Sequence, residues 1–193
     1  MANSEAEICS TALILIGAKP ITSLDENSRE ARLCARLWPK TIQEIIRMAP
    51  WKCTIKEREL SRDEVSTTVF SFKYSYQLPE DCIRVWDTNL DKQWGGSGDT
   101  WQIMSKKLIT DATRIQIRYG HLVADVSLFD SLMEKAIYYD LAAKLAYPLS
   151  QLKDMQVVFD GQRKAACIQA MVVDTQEQTK KRFTSTMLTT DVR

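Results

Sequence analysis

Side chains able to do chemistry are few and scattered in this sequence. His121 is the only histidine in 193 residues. It follows Gly120 at the end of an alternating segment, with no cysteine or carboxylate close in sequence to complete a zinc site. It reads as a loop or interface histidine, not as a ligand or base. The five cysteines are Cys9, Cys34, Cys53, Cys82 and Cys167, odd in number, widely spaced and without a CxxC pair. That is neither a disulfide framework nor a zinc motif, so each is expected to fill a small buried apolar position. No GxSxG, Walker A, GxGxxG or HExxH stretch occurs. "WGGSGD" at residues 94–99 is glycine-rich, but no lysine follows in phosphate-binding register, and it reads as a hairpin tip. The expectation is a protein without catalytic residues, cofactor or metal.

Charge and aromatic clusters come next. Glu57, Glu59, Asp63 and Glu64 alternate with Lys56, Arg58 and Arg62. This predicts the solvated face of a strand and turn, or, more sharply, ion pairing between subunits of a ring. Asp160, Arg163 and Lys164 are expected to face solvent. Phe70, Phe72, Tyr74, Tyr76 and Leu78 alternate along "VFSFKYSYQL". With only Lys73 interrupting them, they suit a core face better than a base-stacking platform. The strongest local charge signal is "KKRF": Lys180, Lys181, Arg182 and Phe183. Linear patterning leaves three readings open for it: a solvated tail, a dock for an acidic partner, or contact with nucleic-acid phosphate.

The whole chain is close to neutral, with 26 basic and 25 acidic residues and a formal charge of +1. Its overall electrostatics therefore predicts neither a nucleic-acid binder nor a membrane binder. The longest apolar run, "ALILIGA" at residues 12–18, is far short of the roughly 20 residues a membrane span needs. "MANSEAEI" carries Glu5 and Glu7 and does not resemble a targeting peptide. With the cysteine pattern, this suggests a reducing cytoplasm as the place of synthesis.

The elements that must position these residues follow from periodicity. A first helix is expected over residues 4–16, capped by Ser4 and stopped at Gly17 and Pro20. A second begins near residues 26–28 and carries Ala31, Cys34, Trp38, Ile42 and Ile45 on one face. Pro39 either kinks this helix or begins a new one after a break, and Pro50 ends it. From residue 53 to 119 the period is 2, which predicts five or six antiparallel strands. Helical spacing returns near Ser127 and ends at Tyr147 and Pro148. Ser150 is then expected to cap a fourth helix that presents Leu152, Met155, Phe159, Ala166 and Val173 and contains the weak point Gly161. The predicted fold is α+β. It is a four-helix bundle (residues 1–52 and 125–175) with an antiparallel β lobe (53–124) inserted between helices two and three, and an extended C-terminal arm (176–193).

Four stretches in order resemble the head-to-tail adaptor family of short-tailed bacteriophages, the tail tubular protein A-like proteins. They are "ALILIGAKPITSLDENSREARLC", "CARLWPKTIQEIIRMAPWKCTIKERELS", "YSYQLPEDCIRVWD" and "DLAAKLAYPLSQ". The resemblance spans about residues 5 to 175. It implies a structural virion protein without catalytic activity, in a homo-dodecameric ring beneath the portal protein. Such a ring extends the DNA channel for genome retention and ejection and gives a tail tube or nozzle protein a surface to bind. Members of that family commonly reach the portal with their C-terminal region; residues from about 176 onward match none of its motifs, and portal docking through Lys180, Lys181, Arg182 and Phe183 is an expectation for this chain alone. In a ring subunit, Pro39, Pro50 and Trp51 are expected to set the angle between bundle and β lobe. Pro79 and Asp81 would do similar work at a strand junction, with Asp81 accepting from backbone donors. The competing expectation is a nucleic-acid-binding module built from the basic arm and the aromatic strand.

Overall fold

The computed structural model describes residues 4–63, 72–91, 96, 98–151 and 153–177. Among these the chain is mixed α+β, with four α-helices and two three-stranded antiparallel sheets. Helix α1, Glu5–Leu15, starts where the Ser4 hydroxyl accepts from the Glu7 N–H at 3.3 Å. Glu5 and Glu7 lie favourably in its first turn. It ends at Gly17, whose φ of 72° is costly for a residue with a Cβ. Helix α2, Arg29–Met48, is capped by Ser28 and runs through Pro39 as one element. The alternative of a new helix starting at Pro39 is therefore overturned. The apolar phase is unbroken across it, and the proline ring sits on the exposed side.

Helix α3, Ser131–Ser150, starts at the Asp130 cap. Residues Val126–Leu128, expected to open this helix, instead form a short 3₁₀ turn. Two further expectations fail at the other end. Pro148 lies inside the last turn of α3 instead of stopping it. A proline this close to a C-terminus forfeits only one helical bond, and Arg29 donates to the Pro148 carbonyl at 2.7 Å. Ser150 therefore belongs to α3, and it caps a different helix end: its hydroxyl donates to the Ile16 carbonyl at 3.0 Å. Gln151, at φ 57°, makes the left-handed turn into α4, Lys153–Glu177. The first two residues of the expected arm, Gln176 and Glu177, are thus helical.

The strands are β1 (Ile55–Leu60), β2 (Tyr74–Gln77), β3 (Cys82–Thr88), β4 (Trp101–Met104), β5 (Lys107–Thr110) and β6 (Ile115–His121). One sheet has the order β1-β6-β3 and the other β2-β5-β4. Strands β4 and β5 are joined by Ser105 and Lys106, both at positive φ, in a two-residue hairpin. The glycine-rich stretch is no hairpin tip, because β3 and β4 lie in different sheets. There Gly96 and Gly98 donate back to Asp91 and Leu90. Residues 92–95 and 97 of the same stretch lie outside the described residues.

Two cores result. The helices share one that includes Ile8, Ile45, Trp51, Phe129, Met133, Leu141 and Phe159. The sheets enclose the other, built from Leu60, Tyr76, Leu78, Val85, Leu108, Ile115, Ile117 and Tyr119. The aromatic stripe is only partly as expected. Tyr76 and Leu78 are buried, Tyr74 is half-buried under the Arg62 guanidinium, Phe72 precedes the strand, and Phe70 is outside the described residues.

Candidate functional site

The helical core meets the sheets at a joint built from the end of α2. The residue before Pro50 is confined to extended geometry, and Ala49 has φ −139° and ψ 151°. This ends α2 and turns Trp51 back against it. Trp51 is 3% exposed, and its indole N–H donates to the Ile45 carbonyl at 2.8 Å. A terminal carbonyl of α2 is thereby satisfied inside the core. The Thr54 hydroxyl donates to the Trp51 carbonyl at 2.9 Å. His121 Nδ1 lies 2.6 Å from the Thr54 carbonyl, so that nitrogen carries its proton and the histidine is a strut between the joint and β6. His121 pairs across the sheet with Cys82, whose N–H donates to the Pro79 carbonyl at 3.0 Å.

Asp81 accepts from Lys56 Nζ at 3.1 Å and from the Tyr119 hydroxyl at 3.3 Å. Both donors are side chains, which corrects the expectation of backbone donors. Burial pushes the Asp81 carboxyl upward, but the hydrogen bond and charge of Lys56, aided by Tyr119, hold it below the ordinary carboxylate value. Burial beside Asp81 raises the Cys82 thiol to about 11. A thiol so raised is a poor nucleophile at neutral pH.

Two arginines complete the joint. Arg47 donates to the Ile83 carbonyl at 3.0 Å, and Arg84 donates to the Arg47 carbonyl at 2.6 Å. The β3 bulges around Ile83 and Trp86 make this exchange possible. Arg84 lies over the Trp86 ring at 4.2 Å. Gly120 is needed here because a Cβ would stand 3.0 Å from Trp86 Nε1 and 3.1 Å from Ile46 Cγ2. The structure thus brings Pro50, Trp51, Pro79 and Asp81 into one contiguous joint. Pro39 is elsewhere, at the rim of an apolar recess of about 330 Å³ that Trp38, Ile42, Leu122, Val126 and Phe129 also line. Lys180, Lys181, Arg182 and Phe183 lie outside the described residues.

Other polar groupings close on themselves. On the outer face of the first sheet, Arg118 bridges Glu57 at 2.7 Å and Asp87 at 3.9 Å, and Arg114 takes Glu59 at 2.6 Å. Lys107 takes Asp63 at 2.6 Å, so Glu57, Glu59 and Asp63 have partners within their own chain, and Glu64 lies outside the described residues. Between helices, Lys144 meets Glu44 at 2.5 Å, Asp140 at 2.6 Å and the Thr41 hydroxyl at 3.0 Å. Arg163 reaches Asp140 at 3.2 Å and also pairs with Asp160. The Arg163 side chain is only 13% exposed, which corrects its expected solvent-facing position. Among the described residues, no group of three His, Cys, Asp or Glu side chains could hold a metal ion, and no helix is long and apolar enough to cross a membrane.

Sequence reasoning missed the outer flank of α4. Phe159, Ala166, Cys167 and Ala170 face the core, but Val157, Val158, Ile168, Met171 and Val172 are exposed. Val173, expected on the core face, is also exposed. Gly161 and Ala165 lie on the exposed side, and the space above Gly161 is open. The signal was present: apolar residues recur in two phases along α4, and a helix apolar on both sides is normally covered on both. A comparison with protein-family models and with curated proteins finds no match for the chain.

Proposed function

We propose that this chain is a structural virion protein, a head-to-tail adaptor that joins a portal to a tail and extends the DNA channel. In this reading the α+β chain is a four-helix bundle (residues 1–52 and 125–175) carrying a β lobe (53–124). Identical subunits stand side by side in a twelve-membered ring, in the virion beneath the portal vertex and in the host cytoplasm during assembly. The portal, a tail tube or nozzle protein and neighbouring copies are the partners. The genome passes without specific binding, and residues 176–193 supply the portal contact.

The observation that carries the proposal is the uncovered α4 flank. Val157, Val158, Ile168 and Val172 run along one side of a 25-residue helix whose opposite side already packs on α3. Exposed apolar surface of that extent marks an association site. Heterologous contacts that close by rotation make rings. The joint at Trp51, Arg47 and Arg84 supports the same role, since it fixes bundle against lobe and so fixes the shape of the wedge. The competing nucleic-acid module needs open aromatic faces, whereas Tyr76 and Leu78 lie in the core of the sheets.

Electron microscopy of the purified chain mixed with portal rings tests the proposal. Added twelve-fold density on the portal is the expected result. Bare portals at saturating chain, together with a DNA affinity that falls steeply with salt, would replace the adaptor by the nucleic-acid reading.

A further inference from the structure

A ring contact made by the outer flank of α4 needs a complementary surface on the next copy, and the described residues carry one. Between the N-terminal turn of α1, the middle of α2 and the link from β6 to α3 lies the apolar recess of about 330 Å³. We infer that this recess receives α4 of a second copy, with Ile168 and Val172 as the side chains that enter it, a contact that rests on the ring reading above. Trp38, Ile42, Val126 and Phe129 make the buried floor, and Pro39 and Leu122 stand exposed at the rim. The volume is roughly twice the cavity of about 150 Å³ that takes one benzene, which leaves room for two branched aliphatic side chains. On α4, Gly161, Ala165, Ile168 and Val172 follow at spacings of four, three and four, which places them on one face. All four are exposed, and the space above Gly161 is open, so a neighbour's rim can approach the helix closely there.

The placement suits a head-to-tail contact, which joins two different surfaces of one chain that must not overlap. Helices α1, α2 and α4 all pack on α3, but α4 makes no comparable packing with α1 or α2. No residue of α3 or α4 lines the recess. The two surfaces therefore stand on different sides of the subunit. They also stand at one level. Helices α3 and α4 run antiparallel from the Gln151 turn, with Arg163 bound to Asp140. At about 1.5 Å per residue, Val172 then stands level with Ser131, where α3 begins. Phe129 and Val126 of the recess come just before that start. Rotation about an axis along these helices brings equal levels of neighbouring subunits together. Ile14 and Leu15, also exposed, lie at the far end of the bundle, where Ser150 holds Ile16. Charge agrees as well. Glu5 on the rim and exposed Asp125 and Asp130 outnumber Arg36 and Lys40, the exposed cations of the adjoining turns of α2, and Lys40 is held toward Glu44 at 3.9 Å. The stripe on α4 offers Lys164, with a side chain 66% exposed, between Gly161 and Ile168. Its partner Asp160, at 2.8 Å, is shared with Arg163, and Asp154, also exposed, lies about 20 Å before Ile168 along the helix. A cation within the apolar stripe and an acid-rich rim around the recess are complementary.

The test uses the full chain assembled on portal rings, with occupancy read by electron microscopy. In a chain carrying both Leu122→Cys and Val172→Cys, oxidised glutathione is expected to join neighbours into a ladder of linked chains on a non-reducing gel. Either substitution alone should give no more linkage than the parent, whose own five cysteines set the baseline. Ala124→Trp, which fills the recess from its exposed rim, should lower ring occupancy by about ten-fold. Position 124 is outside the buried core, and circular dichroism checks that the fold is kept. Rings that form without a ladder, or at unchanged occupancy in Ala124→Trp, overturn the recess as the receptor and leave the adaptor reading standing. Linked pairs from Val172→Cys alone overturn it too, since they set α4 against α4. Portals left bare by the parent chain overturn the adaptor reading and this contact with it.

Discussion

Trp51 shows how one residue ties the two parts of the chain together. Its ring belongs to the helical core, its indole N–H satisfies the Ile45 carbonyl, and its own carbonyl receives the Thr54 hydroxyl. Trp51→Ala removes both the burial and the bond and should cost about 3–5 kcal/mol in urea unfolding. Trp51→Phe keeps most of the burial, leaves Ile45 unsatisfied and should cost about 1–3 kcal/mol. A loss below about 0.5 kcal/mol for the alanine variant would show that the anchor does not matter. Asp81 gives the joint a pH dependence of definite sign. Its folded pKa lies below its ordinary value of 3.8. Its contribution is therefore complete above the unfolded value and fades as pH falls through the folded one. Acid unfolding of the native chain should steepen below the ordinary carboxylate range, and Asp81→Asn should flatten that limb. Identical acid limbs for the two proteins would remove Asp81 from the account.

Among elements, α3 is the one on which the others depend, because α1, α2 and α4 all pack against it. Asp140 near its middle is 4% exposed and faces Lys144 of its own helix and Arg163 of α4. Asp140→Ala removes the carboxylate that Lys144 and Arg163 share, leaving them Glu44 and Asp160, and should cost about 1–3 kcal/mol. Lys164→Ala, on the exposed side of α4, should stay within about 0.5 kcal/mol. The turn after α3 offers the opposite test. Gln151 sits at φ 57°, where glycine is at ease, and Gln151→Gly should raise stability by up to about 1 kcal/mol. The extents of α1 and α2 and the change of period at the β lobe were legible because caps, stops and periodicity are local signals. So were the core residues Trp38, Ile45 and Tyr76. The parts that were not legible depend on partners distant in sequence. Ser150 reads as a cap for the helix after it, yet serves Ile16. Arg163 reads as a surface charge, yet finds Asp140 in the core. The glycine-rich stretch reads as a hairpin, yet carries the chain from one sheet to the other. The same holds for the joint: Pro50 and Trp51 stand out in the sequence, but the exchange between Arg47 and Arg84 depends on bulges in β3 that no local pattern announces.

For the whole molecule, the question is what covers α4. One side of this helix is fixed by α3 through Phe159, Ala166 and Ala170, so the other side is free to meet a second protein without disturbing the fold. That separation makes the assembly proposal testable apart from stability. Val157 is 75% exposed and Ile168 is 62% exposed. Changing both to lysine removes little internal packing and should move the unfolding midpoint by an amount equivalent to less than about 1 kcal/mol. In a ring the same change sets lysines against an apolar neighbour, where an unpaired buried charge is strongly unfavourable. The double variant should therefore unfold like the parent yet fail to add ring density to portals under conditions where the parent saturates them. A chain that is monomeric when free does not bear on this, because in the proposed assembly a portal would supply the template and raise the local concentration of subunits. Rings of unchanged occupancy from the lysine variant would show that α4 is not the contact, and the ring proposal would lose the observation that carries it.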